Sequence, residues 1–145
     1  MDHATIGDSV KIGDGVEIMA VNADGSINVV VADPSGTPVH DYDHAVNTGT
    51  GASSNHDYTV VGTSFGCTGV LVSSSGKGKY EIQFGPIASL ATVAVGFLDA
   101  DETKFIPFDP ALAVAATGTG TLRVIKTNRQ ASSTDFYSTI MGTDA

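Results

Sequence analysis

From Tyr58 to Gly142 the apolar residues come in short runs, none long enough for an amphipathic helix and each closed by turn-forming residues. The runs are YTVVG (58–62), GVLVSSS (69–75), KYEIQFG (79–85), ATVAVGFLD (91–99), KFIPF (104–108), TLRVIKTNR (121–129) and FYSTIMG (136–142). Several alternate with the two-residue period of a strand. Tyr80, Ile82 and Phe84 share one face and Glu81 and Gln83 the other, whereas Leu122, Val124 and Ile125 flank Arg123 and Lys126 less regularly. Between runs lie Ser-Ser-Ser-Gly-Lys-Gly, Asp-Ala-Asp-Glu and Gly-Thr-Gly-Thr. Short strands at this spacing predict an all-β chain built as an antiparallel β-sandwich. Residues 111–116 form at most a helical turn before the Gly-Thr run.

The opening residues add a separate element. IGDSVK (6–11) and IGDGVE (12–17) resemble two coils of a hexapeptide β-helix. Two coils cannot cover their own faces, so that reading requires intertwined chains. The stronger signal is Asp24-Gly25, because both central positions of a type I′ hairpin turn need positive φ. Pairing outward from that turn sets Asn22 against Ile27, Ala20 against Val29 and Ile18 against Val31. Val16, Ile18, Ala20, Ile27, Val29 and Val31 then form an apolar face with no cover inside so short a segment, and they are the expected oligomerisation or attachment residues. Residues 32–56 are rich in Gly, Ser, Thr, Asn and Asp and read as a loop or linker. The expected organisation is a hairpin arm over 1–31, the linker over 32–56 and the sandwich over 57–145.

Charge and cysteine usage exclude several classes of function. Sixteen acidic residues against seven basic ones give a net charge of −9, which opposes contact with nucleic acid or an anionic membrane. Cys67 is the single cysteine, so no intrachain disulfide forms, and its simplest role is that of a small buried apolar residue. No apolar run approaches the length that spans a bilayer, and the first residues lack the pattern of a secretory signal.

Candidate reactive groups reduce to structural ones. His40-Asp41-Tyr42-Asp43-His44 offers two imidazoles and two carboxylates, but a flexible segment pays ordering entropy to close a metal site and no further ligand cluster accompanies it. Asn22, Asp24 and Asn28 lack the spacing and terminal glutamate of a calcium loop. Ser64, Ser73, Ser74 and Ser75 lack a nucleophile-elbow context, and His56 is expected in the loop. Asp99, Asp101 and Glu102 read as turn residues, and Gly118 and Gly120 lack the following helix that cradles a phosphate. The expectation is a chain without enzymatic activity, metal or cofactor.

GDGVEIMAVNADGSINV, residues 13–29, resembles the opening of tailed-bacteriophage virion proteins in which such a segment precedes a β-sandwich. The later runs through Phe105-Ile106-Pro107-Phe108, Leu122 to Asn128 and Phe136 to Gly142 are similar to the jelly-roll part of those proteins. The resemblance implies a jelly-roll and a structural role in a virion assembled in the host cytoplasm. It implies a homo-oligomer, a trimer in the simplest case, bound to the major capsid protein or another virion protein. A capsid decoration or cement protein and a tail or fibre component that recognises a host surface molecule both fit it.

Overall fold

The computed structural model describes residues 10–11, 18–19, 23–25 and 36–145. The chain divides into two compact units, Met1–Pro34 and Ser35–Ala145. In the first, β1 (Val10–Lys11) pairs antiparallel with β2 (Ile18–Met19), Lys11 lying opposite Ile18. Residues 23–25 form a turn, with Gly25 at φ 84°. Of the six expected attachment residues only Ile18 is among the described residues. Val16, Ala20, Ile27, Val29 and Val31 lie outside them, as does the pairing of Ile18 with Val31.

The second unit is a two-sheet sandwich made of β3 (Thr37–Thr48), β4 (Ser53–Thr59), β5 (Ser64–Ser74), β6 (Gly78–Pro86), β7 (Ala91–Leu98), β8 (Glu102–Ala115), β9 (Gly120–Asn128) and β10 (Thr134–Asp144). One sheet has the order β3-β10-β5-β8 and the other β4-β9-β6-β7, every pairing antiparallel. Successive strands therefore alternate between sheets except where β6 passes to β7. Eight strands wound in this way are a jelly-roll. No described residue is helical.

Alternation fixes which side chains meet between the sheets. Phe65, Cys67, Val70, Val72 and Ile140 from one sheet pack on Tyr80, Ile82, Leu98, Leu122 and Val124 from the other. Tyr80, Ile82 and Phe84 sit inward as their two-residue period predicts, with Phe84 at the margin of the cluster. Residues 111–116, expected at most as a helical turn, instead lie mostly in β8, where Leu112 and Val114 face the core and Ala113 and Ala115 face out. Opposite the single residue Thr68, β8 carries four residues, 108–111, between Pro107↔Gly69 and Leu112↔Cys67. Its prolines are tolerated because β8 is an edge strand.

The reading of 32–56 as a linker is corrected. β3 runs for twelve residues along the edge of one sheet and β4 for seven along the edge of the other. The unit boundary falls after Pro34, not between 56 and 57. The misreading has a physical source: the inward positions of β3 include Asp41 and Asp43, whose partners His56 and Lys126 are distant in sequence or on another strand. An apolar alternation is therefore absent from a segment that is nonetheless a strand.

Candidate functional site

His40-Asp41-Tyr42-Asp43-His44 lies within β3, so its side chains alternate between two environments. Asp41 and Asp43 bond inward, while His40, Tyr42 and His44 are exposed on the outer face. A metal ion cannot gather both pairs. Among the described residues no group of three His, Cys, Asp or Glu side chains is placed to hold one.

The inward pair closes a polar network between the sheets. His56 on β4 has only 6% of its surface exposed and Lys126 on β9 none. Lys126 Nζ donates to Asp43 Oδ2 at 2.7 Å and to Ser138 Oγ at 2.9 Å. The Ser138 hydroxyl donates to His56 Nδ1 at 2.8 Å, and His56 Nε2–H donates to Asp41 Oδ2 at 3.0 Å. This direction of donation, with a ring hydrogen on His56 Nε2, gives each of these hydrogens an acceptor. Burial pushes the Lys126 ammonium below its usual range, opposed by the Asp43 carboxylate. No buried side-chain nitrogen or oxygen among the described residues lacks a partner.

Serine, histidine and aspartate thus meet, although His56 was expected in a loop and no motif announced the meeting. The geometry does not serve acyl transfer. Ser138 is buried, its oxygen already accepts from Lys126, and the network ties β3, β4, β9 and β10 to one another. Breaking such a pair costs about 3–5 kcal/mol in general, because a charge is left buried and alone.

Cys67 is likewise occupied with packing. It is fully buried, its thiol faces the Gly69 carbonyl at 3.6 Å, and burial pushes its pKa up to about 11. Thiolate chemistry near neutral pH is suppressed at such a position. Gly118 lies within the β8–β9 turn and Gly120 begins β9, with Gly118 and Thr119 taking successive positive φ values of 68° and 59°. Asp99 and Asp101 occupy the β7–β8 turn and Glu102 begins β8.

The two outer faces differ in where their charged residues sit. On the β4-β9-β6-β7 sheet, cross-strand rows join Asp57, Arg123 and Gln83, then Asn55, Ile125, Glu81 and Val95, then Ser53, Thr127, Lys79 and Phe97. Arg123 makes a two-pronged bond to Asp57, at 2.7 and 2.6 Å, and Glu81 accepts from Thr92 and Gln83. The Arg129 guanidinium lies 4.7 Å from the Phe97 ring centre, above a cleft of about 210 Å³ that Lys77 and Asp99 also line.

The outer face of the β3-β10-β5-β8 sheet carries four rows: Pro38–Thr143–Gly66–Ala113, His40–Met141–Gly69–Pro107, Tyr42–Thr139–Leu71–Phe105 and His44–Tyr137–Ser73–Thr103. None of these sixteen residues is Asp, Glu, Lys or Arg, but Asp101 and Glu102 line a cleft together with Ser73, Thr103 and Tyr137, and exposed Asp109 lies in the β8 bulge between the Pro107 and Ala113 rows. Tyr42 is 61% exposed, Phe105 54% and Leu71 36%. His44 stacks on Tyr137 with ring centres 4.4 Å apart. The Phe105 ring occupies the space a side chain at Gly69 would need, so the face is filled and has no deep pocket at its centre.

No protein-family model matches the chain, and no curated protein matches it. Among solved structures, it is similar to a de novo designed double-stranded β-helix at 12% identity, covering 70% of this chain and 96% of that one, with a TM-score of 0.40. It is similar to PirA at 13% identity, covering 74% and 97%, with a TM-score of 0.45. A third likeness, at 15% identity and a TM-score of 0.33, is to the structure of the infectious bursal disease virus Gx strain, covering 79% of this chain and 36% of that one. The jelly-roll assignment rests on the strand order and register of this chain itself.

Proposed function

We propose that the chain is a virion structural protein, a capsid decoration or cement subunit of a tailed bacteriophage that oligomerises and binds the major capsid protein. The observation that carries this reading is the division of labour in the sandwich. Its Ser, His, Asp and Lys groups hold the two sheets together, while the outer face of one sheet is broad and filled and exposes Tyr42, Leu71 and Phe105, as suits contact with a flat protein surface. The jelly-roll frame is one that capsid domains use, though it also hosts lectins and cupins, so the frame alone assigns no role. The resemblance of GDGVEIMAVNADGSINV to the opening of phage virion proteins supplies the rest, with residues 1–31 as the expected attachment arm. On this reading the protein turns over no substrate and requires no cofactor.

The test is quantitative mass spectrometry of purified particles from the phage that encodes the chain. Decoration predicts hundreds of copies per particle. A dozen or fewer assigns it to the tail or fibre, and absence from the particle overturns a virion role.

A further inference from the structure

We propose that the cleft between the β5–β6, β7–β8 and β9–β10 turns is a binding site for a sugar acid, a single pyranose ring that carries a carboxylate. This goes beyond the reading above, and it holds or fails whether or not the chain is a particle component.

Ion pairing singles out the cleft. Residues 36–145 carry six Lys and Arg side chains, and four of them have carboxylate partners: Lys79 with Glu81, Lys104 with Glu102, Arg123 with Asp57 and Lys126 with Asp43. The other two, Lys77 and Arg129, form no ion pair among the described residues, although the chain has sixteen acidic residues against seven basic ones. Both line this one cleft. The main chain sets them side by side, because the Arg129 amide donates to the Lys77 carbonyl at 2.9 Å and the Lys77 amide donates to Gln130 Oε1 at 3.1 Å. Two cations held together in this way are a prepared seat for an oxyanion.

Asp99 decides which anion. It lines the same cleft and forms no ion pair with either cation, so a bare anion would gain from two groups and be repelled by the third. A sugar acid suits all three. Its carboxylate accepts from Lys77 and Arg129, which only donate, and its hydroxyls donate to Asp99, which only accepts. The three side chains sum to +1, which a monoanion neutralises and a zwitterionic amino acid does not. Phe97, 52% exposed beneath the Arg129 guanidinium, offers apolar surface to the C–H groups of the ring. Asp101 and Glu102 line the separate cleft with Ser73 and Tyr137, and Lys104 holds Glu102. The volume of about 210 Å³ is below the roughly 300 Å³ at which drug-sized pockets begin, which limits the ligand to one ring.

The experiment follows the amide ¹H–¹⁵N shifts of the full chain at low ionic strength while D-glucuronate or D-galacturonate is added to about 20 mM, a range suited to millimolar binding. The expected result is saturable shifts centred on Lys77, Gly78, Phe97 and Arg129. D-Glucose, which lacks the carboxylate, and acetate and glycine, which lack the hydroxyls, are expected to bind at least about tenfold more weakly. Lys77→Ala with Arg129→Ala should weaken uronate binding at least about tenfold. Lys77→Gln, which leaves Arg129 over Phe97, serves if the double variant disturbs the fold, and should weaken it about threefold or more. Asp99→Ala should also weaken it, by about threefold or more, because the hydroxyls lose their acceptor. Tighter binding in Asp99→Ala marks a site for a bare anion and overturns the proposal. So do saturable shifts with neither uronate, and glucose, acetate or glycine binding as tightly as the uronates.

Discussion

Asp144, nearly buried, accepts from the Tyr58 hydroxyl at 2.6 Å and from the amides of Val61 and Gly62, each at 2.8 Å. Burial alone would raise its pKa, but these three donors outweigh burial and hold it below the usual 3.8. A carboxylate depressed in the folded state contributes stability that is present above its unfolded pKa and lost as pH falls through the folded value. This contribution should therefore be complete by about pH 5 and decline below about pH 4. Tyr58 moves the other way. Burial first, then its bond to Asp144, pushes the phenol from 10.0 up to about 12. Between those values the unfolded chain loses the proton while the folded chain keeps it, so stability falls as pH rises through that window. Tyr58→Phe should cost about 2 kcal/mol at pH 7, the worth of a hydrogen bond to a charged group. It should also flatten both limbs of a stability–pH profile measured by urea unfolding. An alkaline limb as steep as that of the parent chain would assign the titration to another group.

At the scale of elements, legibility followed the chemistry of the inward positions. β6 could be read because Tyr80, Ile82 and Phe84 are apolar at every second place, and its face was assigned correctly. β3 and β4 could not, because Asp41, Asp43 and His56 fill inward places with groups that normally mark a loop. Only the ladder of β10 against β3 and the distant partners Lys126 and Ser138 make them acceptable there. The Ser–His–Asp meeting was invisible for the same reason: 82 residues separate His56 from Ser138. The turn that carries β8 of one sheet into β9 of the other also has a constraint no motif shows. A Cβ at Gly120 would lie 1.7 Å from the Ala115 carbonyl oxygen, a main-chain atom that cannot swing aside as a side chain does. Gly120→Ala should thus cost about 3 kcal/mol, at the upper end of overpacking effects, because the turn must reopen. Thermal unfolding checks this. Gly51→Ala, where a Cβ meets nothing within 4 Å but φ is 72°, should cost less. Equal losses would mean that backbone conformation rather than contact sets the penalty.

For the whole molecule, the salt response of self-association separates an uncharged contact from one made of ion pairs. Domains of this size have centres about 30 Å apart when they touch. Two sandwich units of charge −4, from ten acidic and six basic residues over 35–145, repel at that separation by roughly 1 kcal/mol at 0.01 M ionic strength and by roughly 0.1 kcal/mol or less at 0.15 M, since the screening length shrinks from about 30 to about 8 Å. Burial of apolar surface is not screened at all, because the hydrophobic term depends on area removed from water. The attraction is therefore constant across this range while the repulsion disappears. The dissociation constant should tighten about three- to fivefold between the two salt concentrations, each factor of ten being worth about 1.4 kcal/mol. An interface built on contacts such as Arg123–Asp57 or Lys79–Glu81 would respond with the opposite sign. Sedimentation equilibrium at both ionic strengths decides between them: weakening with added salt would place the contact on the charged β4-β9-β6-β7 face.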